Sequence, residues 1–183
     1  MANDWHADPL VWGNGPRLLE VFLEPTCPFS VKAFKKLDDF LAQAGDTQVR
    51  VQLWFNPQPW HLFSPIVTRA IVAASTLEGG KETAKKVMTA VADHREEFVF
   101  ENHSVGPNRD VTPNTIIERL ESYSGVSLTQ AFEIADLDSA VKRHAKYSRQ
   151  NGIHTTPTFM VDGLVDPGMG SGDDVSDWVK RFQ

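Results

Sequence analysis

The chain has 183 residues, enough for one domain with a sizeable core and at most two by the usual size of about 100–200 residues per domain. Hydrophobic residues make up 41% and charged residues 23%, with eleven Phe and five Trp, which excludes a disordered or collagen-like chain. The formal charge of −6 and the lack of any run of Lys or Arg argue against nucleic acid as a partner.

No apolar stretch approaches the roughly 20 residues of a membrane-spanning helix, so the chain reads as soluble, with no membrane partner expected. The start, Met1-Ala2-Asn3-Asp4-Trp5-His6-Ala7-Asp8, has neither the basic residues nor the apolar run of a secretion signal, which points to the cytoplasm. Without such a signal, the glycosylation sequon Asn102-His103-Ser104 carries no information. There is one cysteine, Cys27. An internal disulfide and a multi-cysteine zinc site are therefore ruled out, and any partner sulfur must come from outside. The six histidines lack metal-ligand spacing, so no metal site is expected.

The first predicted element is a buried strand over 17–23, an apolar run bounded by Pro16 and Pro25. From Pro28 the period changes: Val31, Phe34, Leu37, Leu41 and Ala44 fall on one helical stripe, which Gly45 ends. A second strand spans 48–55, so the opening is βαβ, which favours parallel strands joined by a right-handed crossover. From about Ser64 to Asn151 the pattern is helical. Ser64 is expected to cap a helix with Pro65 in its first turn. Further helices are read over 81–95, from Thr112-Pro113 to Gly125, and from Asp136 to Gly152. Residues 99–109 are the loosest stretch, and no internal repeat is present. A hairpin follows, Thr158 to Val165 around Asp162-Gly163. The chain closes with an amphipathic helix carrying Val175, Trp178, Val179 and Phe182, capped by Asp173 or Asp174.

Two segments carry chemistry. Cys27-Pro28-Phe29-Ser30 lies where the first strand meets the first helix, and a cysteine at a helix N-terminus is favoured as thiolate, the nucleophilic form. Ser30 can donate a hydrogen bond to that thiolate but cannot close a disulfide with it. The second segment, Ile153-His154-Thr155-Thr156-Pro157-Thr158, places a Thr-Pro pair directly before a strand. With a cis bond there, the exposed backbone of Thr156 can pair with an extended peptide or with glutathione beside Cys27. His61 and His154 are expected on loops rimming the site. Trp54, Trp60, Phe29 and Phe63 could line an apolar groove, though core packing is the better reading of Trp54. The Gly168–Gly172 turn lacks the ending of a phosphate loop; it offers Asp173 or Asp174 to a small ligand, although capping alone accounts for them.

Strand, Cys27-Pro28-Phe29-Ser30, helix, strand, helical block and then Gly152 to Gly163 resembles the DsbA-like branch of the thioredoxin superfamily, from about Leu18 to Phe182. The resemblance implies an α/β thioredoxin fold, βαβ…ββα with a central mixed sheet, and an inserted helical subdomain. Residues 17–60 and 152–183 would form the thioredoxin-like domain and 61–151 the insertion. It also implies thiol–disulfide oxidoreductase chemistry, with Cys27 attacking and Pro157 the cis-proline beside it. Ser30 would assist, and Pro28, Phe29, Thr156, Pro157, His154 and Trp60 would contact substrate. There are two departures. Ser30 stands where dithiol members have a second cysteine, which excludes direct disulfide donation. Val21 stands six positions before Cys27, where the family often buries an acid, with Glu20 and Glu24 flanking it.

The monothiol pattern is also similar to monothiol glutaredoxins and, more distantly, to kappa-class glutathione transferases, which carry Ser where Cys27 stands. Both point to glutathione as co-substrate, with no tightly bound cofactor. The expected activity is exchange with a thiol or mixed-disulfide substrate, an external thiol such as glutathione resolving the intermediate. Two alternatives stand beside it: a glutathione transferase or isomerase of the kappa and 2-hydroxychromene-2-carboxylate isomerase type, and a redox-inactive peptide-binding module.

Overall fold

The computed structural model describes residues 5–102 and 104–183; residues 1–4 of the N-terminal segment and His103 of the sequon lie outside them. Five strands form one mixed sheet in the order β1-β3-β2-β4-β5. β2 (Arg17–Leu23) is central, and its last five residues are all buried, which explains why they are apolar save for Glu20. It pairs in parallel with β3 (Val49–Phe55), Leu19 opposite Val51 and Val21 opposite Leu53. On its other side it pairs antiparallel with β4 (Thr158–Val161), Val21 opposite Phe159. β5 (Leu164–Val165) completes the hairpin, with Asp162 and Gly163 both at positive φ, as a tight two-residue turn requires.

β1 (Val11–Gly13), antiparallel to β3, was not apparent in the sequence because three residues show no period. Gly13, at φ +80, passes so close to β3 that a Cβ would lie 2.4 Å from the Val49 carbonyl oxygen.

The helix expected over 28–44 is broken. α1 (Pro28–Phe34) and α2 (Leu37–Ala44) are separated by Lys35 and Lys36. The turn tightens where Lys36 N donates to Ala33 O, and Lys36 Nζ donates to the carbonyls of Ser171 and Asp173 above the Trp178 ring. A contact far along the chain thus redirects a segment whose own period is helical.

Helices α3 (Ser64–Ala74), α4 (Lys81–Asp93), α5 (Pro107–Asp110), α6 (Pro113–Ser124), α7 (Thr129–Phe132) and α8 (Leu137–Gln150) lie between β3 and β4. Their buried residues and one face of the sheet form a single cluster that also holds α1, α2 and the C-terminal α9 (Val175–Val179). Ser64 does not cap α3. The cap is Phe63, whose carbonyl accepts from Val67 N, and the Ser64 hydroxyl is buried within the first turn. Thr112 does cap α6, accepting from Thr115 N at 3.2 Å. The expected loose stretch contains α5, whose buried Asn108 donates to Asn102 O at 2.6 Å. Asp174 occupies the cap position of α9 without a side-chain cap bond, while Asp173 accepts from Gly170 N at 2.7 Å. Among the described residues no helix is long and apolar enough to cross a membrane.

The opposite face of the sheet packs on α8 through Phe22, Ile153 and Met160 with Trp54 and Tyr147. Trp54 stacks on Tyr147 at 4.2 Å and donates to Glu20 at 2.9 Å. His144 lies half-buried beside them, its Nδ1 accepting from Phe55 N at 3.2 Å. Burial, reinforced by the charge of Arg143, pushes its pKa down to about 4. The folded state resists protonating His144, whereas the unfolded chain accepts that proton near pH 6.5. The stabilisation is complete above about pH 6.5 and is lost as the pH falls toward 4. Denaturant unfolding at pH 7 and pH 5 should show the native chain losing about 2 kcal/mol more than a His144→Gln variant. Equal losses would contradict this assignment.

Candidate active site

β2 delivers the chain through Glu24-Pro25-Thr26 to Cys27, where Cys27 N donates to Glu24 O at 3.1 Å in a tight turn. Cys27 is the N-cap of α1, with extended backbone, and Pro28 follows at a position where its missing N–H costs nothing. The first turn of α1 itself contains no acidic residue. The sulfur is nearly covered, with Cys27 only 8% exposed. Its Sγ lies 3.8 Å from the carbonyl oxygen of Thr156, and the Thr156–Pro157 bond is cis. The β2–β4 pairing produces this contact, since both strands enter or leave the sheet at that end.

Ser30 is fully buried, and its Oγ accepts from Glu24 N at 3.2 Å. The hydroxyl therefore braces the strand-to-helix loop, and no hydrogen bond to Cys27 is formed. The hydrogen bond to the thiolate expected of this hydroxyl is thus replaced by one within the loop.

Beneath Cys27 lies a polar network that the sequence did not disclose. Glu24 is completely buried. Its carboxylate accepts from Thr26 N at 3.1 Å and from Thr26 Oγ1 at 2.9 Å. His61 Nδ1 sits 3.2 Å from Glu24 Oε2 and 3.1 Å from Thr26 Oγ1. Burial raises the Glu24 pKa, partly offset by the Ser64 hydroxyl, which faces it outside ordinary hydrogen-bonding geometry, and by the Thr26 and Cys27 groups. Glu20, the other flanking acid, lies on the opposite face of the sheet with Trp54. The one available signal was a charged residue directly following the apolar end of a strand, Val21-Phe22-Leu23.

The loops carrying these groups are tied together. Asn56 Nδ2 donates to Ile153 O at 3.3 Å, and Gln58 Nε2 reaches His154 O at 3.5 Å. His154 itself is exposed, and Thr156 and Pro157 are half-buried. Of the four aromatics considered for a groove, Phe29 and Trp60 stand 63% and 60% exposed, joined by Leu62. Phe63 is in the core, and Trp54 packs on α8. Pro28 and His61 share the wall of a cavity of about 410 Å³ that is completed by residues following α4. The Gly168–Gly172 turn is held by its own bonds, including Trp178 Nε1 to Gly170 O at 3.2 Å. Among the described residues no group of His, Cys, Asp or Glu is arranged to hold a metal ion.

No family model matches the sequence, and no curated protein does. Among solved structures, a protein from Pseudomonas syringae provisionally named a protein-disulfide isomerase is 65% identical, with a TM-score of 0.94 over 96% of this chain and 98% of that one. The thiol-disulfide exchange protein α-DsbA2 of Wolbachia pipientis shares the fold at 13% identity, with a TM-score of 0.70 over 94% of this chain and 84% of that one. DsbA2 of Pseudomonas aeruginosa does so at 17% identity, with a TM-score of 0.61 over 97% of each chain. Matched along nearly its whole length by that close relative, the chain belongs to the family of the Pseudomonas syringae protein provisionally named a protein-disulfide isomerase, on the fold it shares with the two DsbA2 proteins.

Proposed function

We propose that the protein is a monothiol thiol–disulfide oxidoreductase, with Cys27 forming and releasing mixed disulfides and an external thiol such as glutathione resolving them. The carrying observation is the 3.8 Å contact between Cys27 Sγ and Thr156 O in a chain with one cysteine. A sulfur at the start of α1 beside an exposed backbone edge is placed to meet a substrate that pairs with Thr156 as an added strand. The Cys27 thiolate attacks one sulfur of a disulfide, and the other sulfur leaves as a thiolate. The incoming thiol then attacks the substrate sulfur of the mixed disulfide and returns Cys27 as thiolate. No second cysteine competes for that step, so the protein exchanges thiols between partners.

The exposed apolar side chains of Phe29, Trp60 and Leu62 favour a peptide carrying the disulfide. A compartment rich in reduced thiol, such as the cytoplasm, would supply the resolving partner.

Release of glutathione from a glutathionylated peptide, followed with excess reduced glutathione, is expected to fall to the uncatalysed rate in a Cys27→Ser variant. Unchanged turnover would end the proposal. Ser30 acts in it as a brace for the loop. Ser30→Ala leaves a buried Glu24 N–H without its partner and should cost about 1–3 kcal/mol in denaturant unfolding. Turnover per folded molecule should stay within about threefold of the native value. A far larger loss of turnover at unchanged stability would restore Ser30 to the chemistry.

A further inference from the structure

A second cavity, of about 320 Å³, lies between the sheet, α2 and α4, at the end of α1 remote from Cys27. Its floor is apolar, formed by Phe34, Leu37, Val51 and Leu53, all buried, and by half-buried Leu41. Trp12 of β1 makes one wall, and its indole is fixed by Nε1 donating to Glu82 Oε1 at 2.9 Å. The mouth is charged. Lys35 joins Asp93 at 2.8 Å, from the end of α1 to the end of α4, and Lys85 of α4 joins Asp38 of α2. Lys85 Nζ also sits over the Trp12 ring, 5.6 Å from its centroid.

The size of this space and the ion pairs at its mouth suit a small molecule, since pockets for such ligands start at about 300 Å³ and combine an apolar lining with a few polar groups. The floor calls for an apolar body and the mouth for a charged head. The sign of that head follows from the unequal exposure of one pair: the Lys85 side chain is 26% exposed and that of Asp38 68%. A carboxylate that takes the place of Asp38 returns to water a group already largely hydrated, and it leaves partly buried Lys85 with a counter-ion. An ammonium would have to draw Asp38 away from Lys85, stranding a partly buried cation beside an apolar floor.

We propose that this cavity is a binding site for a small amphipathic carboxylate, its apolar body lying against Leu41, Val51 and Leu53 and its carboxylate on Lys85 in place of Asp38. Asp93 stays with Lys35 and Glu82 with the Trp12 indole, so neither acid is left to face the incoming anion without a partner of its own. The site shares no residue with the Cys27 loop and stands independently of the exchange chemistry.

The test titrates the full chain with octanoate and follows the methyl NMR signals of Leu37, Leu41, Val51 and Leu53. Saturable shifts of these methyls are expected, with a dissociation constant of roughly 0.1–1 mM for a ligand of this size. Octylammonium, the same chain with the opposite charge, should bind at least about tenfold more weakly. Lys85→Met keeps the apolar stem of the side chain and should weaken octanoate at least about tenfold. Asp38→Asn removes the competing carboxylate and should tighten octanoate about two- to fivefold, a gain that a merely structural role for Asp38 would not produce. The absence of saturable shifts at these methyls overturns the proposal. So does equal binding of octylammonium, which needs no variant to fold, and so does octanoate binding that is indifferent to both substitutions.

Discussion

The meeting of Cys27 with the Thr156 carbonyl is the contact on which the site depends, and the sheet creates it. β2 pairs in parallel with β3 and antiparallel with β4, so the end of β2 and the start of β4 share one edge. Cys27 follows the first and Thr156 precedes the second. Because Val21 and Phe159 oppose one another in a fully buried register, a slip of one residue would turn apolar side chains out of the core, so the sulfur-to-carbonyl geometry is held by hydrophobic packing at a distance. Ties between Asn56 and Ile153 and between Gln58 and His154 secure the flanking loops from the β3 side.

The second constraint is the burial of charge. Glu24 sits with no solvent access, a position that is tolerated only when the carboxyl finds partners. Thr26 supplies two hydrogen bonds and His61 a third polar neighbour, while Ser30 takes the Glu24 backbone N–H. One network therefore shapes the loop under the cysteine and ties the His61 ring to that loop. Where many relatives of this fold place an acid six residues before the cysteine, this chain has apolar Val21 in the sheet core and brings its carboxylate from three residues before.

Much of this was legible in the sequence where the information is local. The central strand announces itself as an apolar run, the hairpin by Asp162-Gly163, and the cysteine and Thr-Pro segments by their neighbours. What could not be read is what depends on distant partners. Lys35 and Lys36 sit in an unbroken helical period, and the break between α1 and α2 arises from Lys36 reaching the carbonyls of Ser171 and Asp173. Ser64 before Pro65 has the form of a cap, yet the preceding turn at His61–Phe63 starts the helix one residue earlier. Ser30 reads in the sequence as a donor to the Cys27 thiolate, and only the folded loop reveals its bond with Glu24 N. Glu24 and His61 lie on separate elements, and nothing in either segment names the other.

Whether the fold activates Cys27 for exchange is read from the rate of mixed-disulfide formation with glutathione disulfide at neutral pH, followed by intact mass on folded and denatured protein. The single cysteine makes the product unambiguous. Folded Cys27, though only 8% exposed, is expected to react at least about tenfold faster than in the denatured chain, and reduced glutathione to reverse the adduct. A folded thiol that stays unmodified until the chain is denatured would make Cys27 a packing residue and overturn its role in exchange.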